Sequence, residues 1–129
     1  MPLELKNTQI STKLTLNLIR NLPGFAGIID LSLDWQYMIE VVSEAKRMQP
    51  QFQLISGTEY MISASAIGAT GLLSPISNVA PHLIRSLFDL CHQENYQLAY
   101  NHQIDAAYLY RLFNQYGIPG LKYISATLG

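Results

Sequence analysis

Residues 54–81, with the sequence LISGTEYMISASAIGATGLLSPISNVAP, decide the fold. An apolar run ends at Gly57, small residues then predict a short helix over 58–67, and a second apolar run follows at 71–74. Short apolar runs bounded by glycine are typical of buried parallel strands. Pro81 suits the first turn of the next helix, because its missing N–H would have no partner there. The stretch therefore predicts strand, helix, strand and helix in succession.

The same alternation extends toward the amino terminus. Ser11 or Thr12 can cap a first helix, which we expect to end at 22–24, where the sequence reads LPG and carries a helix-stop signal. This helix places three leucines on one face, namely Leu14, Leu18 and Leu22. The apolar run 25–30 then predicts a buried strand, because it is too short for a helix.

A second predicted helix begins after Asp34, which can cap it, and stops before Pro50. Its apolar residues recur at three- and four-residue steps, as a buried helix face requires: Trp35, Met38, Ile39, Val42, Ala45 and Met48. Residues 52–56 form the next predicted strand.

Three further helices are predicted, over 81–92, 96–115 and 119–128. Regular alternation of strand and helix predicts the α/β class, with a parallel sheet and helices packed outside it. A closed barrel needs eight βα units, whereas this chain supplies three. The residues alone leave open a small α/β layer or a part of something larger.

Composition excludes several functional classes. Of 129 residues, 49% are hydrophobic and 13% are charged, which excludes disorder and predicts that part of the surface faces another polypeptide. The net charge is −1, and no basic run predicts a nucleic-acid or anionic-membrane surface. No apolar run reaches the ~18 residues of a membrane span, and nothing resembles a signal peptide, so we predict a cytoplasmic protein.

Three stretches together resemble one enzyme family. LPGFAGIID (22–30) is similar to the sixth strand of the dihydrodipicolinate synthase / N-acetylneuraminate lyase family. Residues 54–81 resemble its seventh and eighth strands, and GIPGLK (117–122) resembles the turn into its last helix. The resemblance implies a partial (β/α)8 TIM barrel with the equivalents of strands 6–8, over 1–94, and a C-terminal helical extension, over 95–129. The first five strands are absent from the match.

The resemblance also implies which chemistry to look for. Family members join a 2-keto acid such as pyruvate to a lysine on strand six, as a Schiff base that serves as an electron sink. The lysine is the third residue of a Gly-Ile-Lys-Asp-like run, which here reads GIID (27–30), so that Ile29 stands in its place. The four lysines of the chain are predicted away from strand ends, namely Lys6, Lys13, Lys46 and Lys122. We therefore predict no catalytic residue, and no activity for this chain alone.

Two positions resemble the wall of the family's substrate pocket. Gly57 matches a glycine whose backbone lines the pocket, and Leu73 matches an apolar residue beside the pyruvate methyl group. The alternative interpretation, which we favour, is a turn glycine and a core leucine. Sialic acid lyases carry an acidic pair after that glycine and a serine in the next loop, where this chain has Thr58-Glu59-Tyr60 and Pro75. That specificity is not supported.

Other polar residues give weaker signals. The three histidines are ten residues apart, which is not one helical face, so we predict no metal site and no cofactor: His82, His92 and His102. Asp30 could be a catalytic carboxylate, although a strand-end aspartate more often accepts backbone N–H bonds. Cys91 is interpreted as a half-buried helical thiol. Five tyrosines of the C-terminal helices suit either an interface or ordinary packing: Tyr96, Tyr100, Tyr108, Tyr110 and Tyr116.

Three hypotheses follow from these observations. The chain is a truncated, inactive family member; or half of a split enzyme, against which Ile29 argues; or a non-enzymatic subunit that completes or regulates an intact homologue. We expect a homo-oligomer or association with another chain, because uncovered edges of a parallel sheet are sticky. Any small ligand would be a 2-keto acid such as pyruvate.

Overall fold

Three short parallel strands form the sheet in a computed structural model that describes residues 10–128. Their order is β1 (Gly27–Asp30), β2 (Gln53–Ser56) and β3 (Gly71–Leu72). The register aligns Ile29 with Ile55, and Ile55 with Gly71. The predicted α/β class and parallel pairing are confirmed.

Helices alternate with the strands in the predicted order. Residues Pro75–Asn78 form a single 3₁₀ turn after β3. Gly117 has φ 62° and ψ −156°, so the last helix consists of two segments that meet at this residue. The helices are α1 (Thr12–Asn21), α2 (Trp35–Met48), α3 (Met61–Ala66), α4 (Pro81–His92) and α5 (Tyr96–Leu128).

The helix ends follow from local capping. The Ser11 hydroxyl accepts the N–H of Leu14 at 3.2 Å, and the Asp34 carboxylate accepts the N–H of Tyr37 at 2.9 Å. Each bond satisfies a backbone donor that the first turn of a helix leaves without a partner. Both capping residues were predicted, and both begin their helices as expected.

The core lies on one side of the sheet. Leu54 of β2 is fully buried against residues of α2 and α3, and Ile28 of β1 packs on the same side. A second part of the core joins α3, the 3₁₀ turn, α4 and α5. Its fully or nearly fully buried residues are Met61, Ile76, Ile84, Leu87, Cys91, Ala99 and Ala106. The prediction that helices cover one face of the sheet is confirmed.

The buried faces predicted for α1 and α2 were partly wrong. In α1 the buried residues are Thr15 and Ile19, whereas Leu14 and Leu22 are exposed. The reason is that Thr15 faces α2, where its hydroxyl is hydrogen-bonded to the Tyr37 hydroxyl at 3.1 Å. In α2, Met38, Val42 and Ala45 are buried as predicted, together with Val41, but Ile39 and Met48 are exposed.

The predicted buried strand over 25–30 is present as a parallel strand, but it is shorter than predicted and only partly buried. The strand starts at Gly27, and the ring of Phe25 ahead of it packs against Phe52 at a centroid distance of 6.1 Å. Ile29 is 53% exposed, because no part of residues 10–128 covers the face on which it lies. Only one face of this short parallel sheet is closed.

Candidate functional site

Ile29 lies on the open face, near the carboxyl end of β1. Its neighbours in the register, Ile55 and Gly71, point to the same face, because paired residues of adjacent parallel strands share a side. An added Cβ on Gly71 would lie 3.2 Å from Cγ1 of Ile55, which agrees with this orientation. The row presents two isoleucines, and the side chain of Ile55 occupies the space beside Gly71.

Gly57 and Leu73 follow on the same face, one step beyond the ends of β2 and β3. The N–H of Gly57 donates to the Asp30 carbonyl at 2.7 Å, and the N–H of Leu73 donates to the Ser56 carbonyl at 2.8 Å. Leu73 is 53% exposed. Ile29, Gly57 and Leu73 therefore lie on one face of the sheet, at or just beyond the carboxyl ends of the three strands, which we call the sheet edge. Barrel enzymes place their chemistry at this end of the strands.

Leu31 lies beside Gly57 at the sheet edge and was not predicted as a site residue. Its Cδ2 would lie 2.2 Å from a Cβ placed on Gly57, so the leucine side chain occupies the space beside the glycine. Leu31 is itself 61% exposed. The signal available was the period of two in Ile29, Leu31 and Leu33, which puts Leu31 on the face of Ile29.

Asp30 points to the closed face of the sheet, where its carboxylate is hydrogen-bonded within the chain. It is buried, and its carboxylate accepts the Ser32 hydroxyl at 2.9 Å and the Ser32 N–H at 3.3 Å. Burial raises the pKa of Asp30, the bonds from Ser32 oppose this, and the nearby Asp34 carboxylate adds to the increase. These contacts favour the interpretation of Asp30 as an acceptor of backbone N–H bonds over that of a catalytic carboxylate.

The most unusual group near the edge is Glu59, whose side chain is fully buried. The Ser74 hydroxyl donates to its Oε1 at 2.6 Å, while Oε2 has no hydrogen-bond partner among the described residues. Burial raises the pKa of Glu59, and the bond from Ser74 partly offsets the increase. A carboxyl group in such surroundings favours its neutral form.

The surroundings of Glu59 connect the sheet edge to α5. The Gln103 side chain of α5 donates to the Glu59 carbonyl and accepts the N–H of Ile62 at 3.1 Å. Ser74 also accepts the N–H of Ile76 at 3.1 Å. No sequence pattern pointed to this cluster, because its members are up to 44 positions apart and are joined only by the tertiary fold.

No lysine of the described part of the chain lies at the carboxyl end of a strand. Lys46 donates to the Gly68 carbonyl at 3.3 Å, at the amino-terminal side of β3. Lys13 lies in α1 and Lys122 in the last segment of α5, both within helices as predicted. Lys6 lies outside the described residues.

The remaining candidates are structural. Cys91 is more deeply buried than the predicted half-buried thiol, and burial raises the pKa of its thiol, which disfavours the reactive thiolate. Within residues 10–128, no group of histidine, cysteine and carboxylate side chains is placed to hold a metal ion. Of the five tyrosines, Tyr96 and Tyr110 pack against the core, and Tyr100, Tyr108 and Tyr116 are exposed.

An apolar cavity lies between the helices, next to the 3₁₀ turn that follows β3. It has a volume of about 480 Å³ between the two segments of α5 and the 3₁₀ turn, and its lining is almost wholly apolar. Among the described residues that line it, the titratable groups are the hydroxyls of Tyr116 and Tyr123. The sheet edge is the better candidate site, because the positions that resemble a substrate pocket converge there.

Comparison with known proteins agrees with this architecture. A model of the dihydrodipicolinate synthetase family matches residues 4–129. The chain belongs to this family. It is 27% identical over 86 residues to a 4-hydroxy-tetrahydrodipicolinate synthase of Protochlamydia amoebophila, covering 66% of this chain and 29% of that protein. It is 33% identical over 70 residues to an uncharacterized DapA-like lyase of Chloroflexus aurantiacus, covering 54% of this chain and 22% of that protein.

Solved structures of the dihydrodipicolinate synthetase family share the fold. The dihydrodipicolinate synthase of Thermotoga maritima superimposes with a TM-score of 0.76 at 20% identity, over 84% of this chain and 37% of that one. YagE of Escherichia coli K12, solved in complex with pyruvate, superimposes with a TM-score of 0.76 at 17% identity, over 88% of this chain and 38% of that one. The chain thus spans less than two fifths of the family structures it matches. Among residues 10–128, no helix is both long enough and apolar enough to cross a membrane.

Proposed function

We propose that this chain is a non-catalytic member of the dihydrodipicolinate synthetase family, in which β1, β2 and β3 take the places of barrel strands six, seven and eight. Ile29 is the observation that carries the proposal. It lies near the carboxyl end of β1 on the open face, the place that the resemblance assigns to the Schiff-base lysine, and it has no nucleophile. Among amino-acid side chains, the primary amine of lysine is the group that condenses with a ketone to give the Schiff base.

The surroundings of Ile29 support the same conclusion. Leu31 covers the Gly57 backbone, which the resemblance assigns to the pocket wall. Glu59 is buried away from solvent and its bonds are internal to the fold, so it is a poor candidate for a group that contacts substrate. Gly57 and Leu73 remain as vestigial pocket positions without chemistry of their own.

The test is borohydride trapping with pyruvate, read by intact mass, on wild type, Ile29→Lys and Ile39→Lys. Ile39 is the matched control, because it is an isoleucine of similar exposure, 50%, on α2 and away from the sheet edge. We expect wild type and Ile39→Lys to remain unlabelled and Ile29→Lys to gain a pyruvyl adduct, because an amine at that position has apolar neighbours that favour its reactive neutral form.

The two arms test different parts of the proposal. An adduct on the wild-type chain would mean that another lysine performs the chemistry, and the claim of inactivity would be wrong. Equal labelling of Ile29→Lys and Ile39→Lys would remove the support for equating β1 with strand six.

A second candidate function is that of a subunit that completes or regulates an intact family member. The open face and the unpaired edges of β1 and β3 within residues 10–128 favour it, because such surfaces pair readily with another chain. Its test is to mix the chain with an intact synthase and measure both the mass of the complex and kcat/KM. A complex with altered kcat/KM supports this role, and two separate masses with unchanged kinetics contradict it.

A further inference from the structure

The first segment of α5 carries large apolar side chains on its exposed side as well as on its buried side. Ala99 and Ala106 are fully buried in the core that α5 shares with α4. Tyr108 lies about 160° around the helix from Ala106, so it marks the centre of the exposed side. Exposed apolar surface that continues along a whole helix is typical of an interaction site.

The apolar residues of this exposed face are arranged symmetrically about Tyr108. Ile104 and Leu112, both branched aliphatic residues, lie four positions before and after it. Tyr100 and Tyr116 lie eight positions before and after it. All five side chains are exposed. The face therefore presents the same apolar surface when the helix is read in either direction from Tyr108.

The polar residues of the face follow the same symmetry. Asn101 and Gln115, both amides, lie seven positions from Tyr108, and Asp105 and Arg111, which carry opposite charges, lie three positions from it. Asp105 and Arg111 are exposed, and neither forms an ion pair with another residue of 10–128. They are six positions apart, whereas ion pairs along one helix join residues three or four apart.

A two-fold axis at Tyr108 brings these complementary positions together. In two antiparallel helices related by this axis, the residue n positions after Tyr108 in one copy faces the residue n positions before it in the other. Asp105 of each copy then faces Arg111 of the other, and Ile104 faces Leu112. Helix axes about 8–10 Å apart that cross at about 20° leave both pairs within side-chain reach.

This symmetry identifies the occupant of the face as a second copy of the same chain. A two-fold interface uses one surface patch twice, so the patch must complement itself in shape and in charge. The pairing of opposite charges at equal distances from Tyr108 meets that requirement at two places in the interface. A partner of another sequence would need no such symmetry.

We propose that two copies of this chain associate through the exposed face of α5, with the helices antiparallel about a two-fold axis at Tyr108. Asp105 and Arg111 form an ion pair across each half of the interface. The inference goes beyond the proposed non-catalytic role, because it concerns α5 and uses no residue of the sheet edge.

Charge reversal and its rescue test the pairing. Sedimentation velocity of the wild-type chain over a dilution series should show a species of twice 14.5 kDa that dissociates on dilution. Asp105→Arg and Arg111→Asp should each weaken the dimer at least ~10-fold, because like charges then face each other at two places. The double variant Asp105→Arg/Arg111→Asp should restore the wild-type dissociation constant, because opposite charges face each other again.

The matched control is Lys13→Asp. Lys13 is an exposed basic residue within α1, a helix that packs on α2. Its reversal changes the net charge by the same amount as Arg111→Asp and should leave the dissociation constant unchanged. Far-UV circular dichroism of each variant checks that it retains the wild-type fold.

Disulfide trapping tests the position of the axis. Tyr108→Cys places the two introduced thiols next to each other at the axis, so mild oxidation should link the two copies. Tyr100→Cys replaces the same residue type on the same face, but its two copies lie about 24 Å apart in the antiparallel pair and should not be linked. Cys91 is buried, which limits its reaction in both variants.

Four outcomes would overturn the proposal: a wild-type chain that stays monomeric at high concentration, a dimer that Arg111→Asp does not weaken, a double variant that stays dissociated, or equal linking of Tyr108→Cys and Tyr100→Cys. A pyruvyl adduct on the wild-type chain would refute the non-catalytic proposal and leave this interface unaffected, so the two failures are distinguishable.

Discussion

The two faces of the sheet differ in what they do for the protein. On the closed face, Leu54 and Ile28 pack against α2 and α3 and form the core. On the open face, Ile29 and Leu73 lie exposed at the positions that the family resemblance assigns to chemistry. The difference teaches that this sequence keeps the residues that hold βα units together, while an aliphatic residue stands at the position that the resemblance assigns to the nucleophile.

The largest difference in stability should come from replacing one side chain on each face of the sheet by alanine. Leu54→Ala should lower the free energy of unfolding by about 2–5 kcal/mol, because it removes a fully buried side chain and leaves a cavity. Ile29→Ala should cost less than about 1 kcal/mol at concentrations where the chain is monomeric, because its side chain is half exposed. Urea unfolding measures both. Equal losses would mean that the open face is covered within one chain.

The bond between Ser74 and Glu59 should have the next largest effect. Ser74→Ala removes the donor to Oε1 of a fully buried carboxyl group and should cost about 1–3 kcal/mol. Ser77→Ala is a suitable control, because Ser77 donates to the Ser74 carbonyl from an exposed position. If the two variants were equally stable, the buried cluster would not contribute to stability.

Glu59 should also make stability depend on pH. Its pKa is raised in the folded state by burial, so the folded chain binds more protons than the unfolded chain between the two pKa values. The free energy of unfolding should therefore fall as pH rises from about 4.5, the unfolded value, through the folded pKa. Glu59→Gln should remove this contribution, so wild type and variant should diverge with rising pH. Parallel pH profiles would contradict the assignment.

A smaller effect is expected at Leu33, which has φ +58° in the left-handed region. Leu33→Gly should be more stable than Leu33→Ala by about 1 kcal/mol, because only glycine adopts this conformation without strain. The order should reverse at Ser43, an exposed position inside α2, where alanine is favoured by roughly 0.5–1 kcal/mol. Thermal unfolding of the four variants measures the comparison, and the same order at both positions would contradict it.

The sequence predicted the elements whose causes are local. Ser11, Asp34 and Pro81 begin their helices as expected, and the break at Gly117 follows from a glycine near a proline. The parallel sheet followed from the alternation of strands and helices. These features depend on capping and periodicity within a few residues of one another.

The candidate site was less predictable from the residues alone. The exposure of Ile29 depends on which chain segments lie above the sheet, and the alternation of residues along the strand does not determine this. The burial of Glu59 depends on Ser74 and Gln103, which reach it only in the folded chain. The match of Ile29, Gly57 and Leu73 to a substrate pocket came from the resemblance and stays a prediction, as does the division at residues 94 and 95.

The most direct test of the two-face account is the reactivity of a thiol introduced by Ile29→Cys. Cys91, which is 2% exposed, provides a buried thiol in the same molecule. At a concentration where the chain is monomeric, mass spectrometry of maleimide-labelled peptides should show the introduced thiol reacting at least ~100-fold faster than Cys91, because a buried thiol reacts only through local opening. Equal rates, or a protected thiol at position 29, would contradict the account, because the side chain in the lysine position would then lie inside the fold.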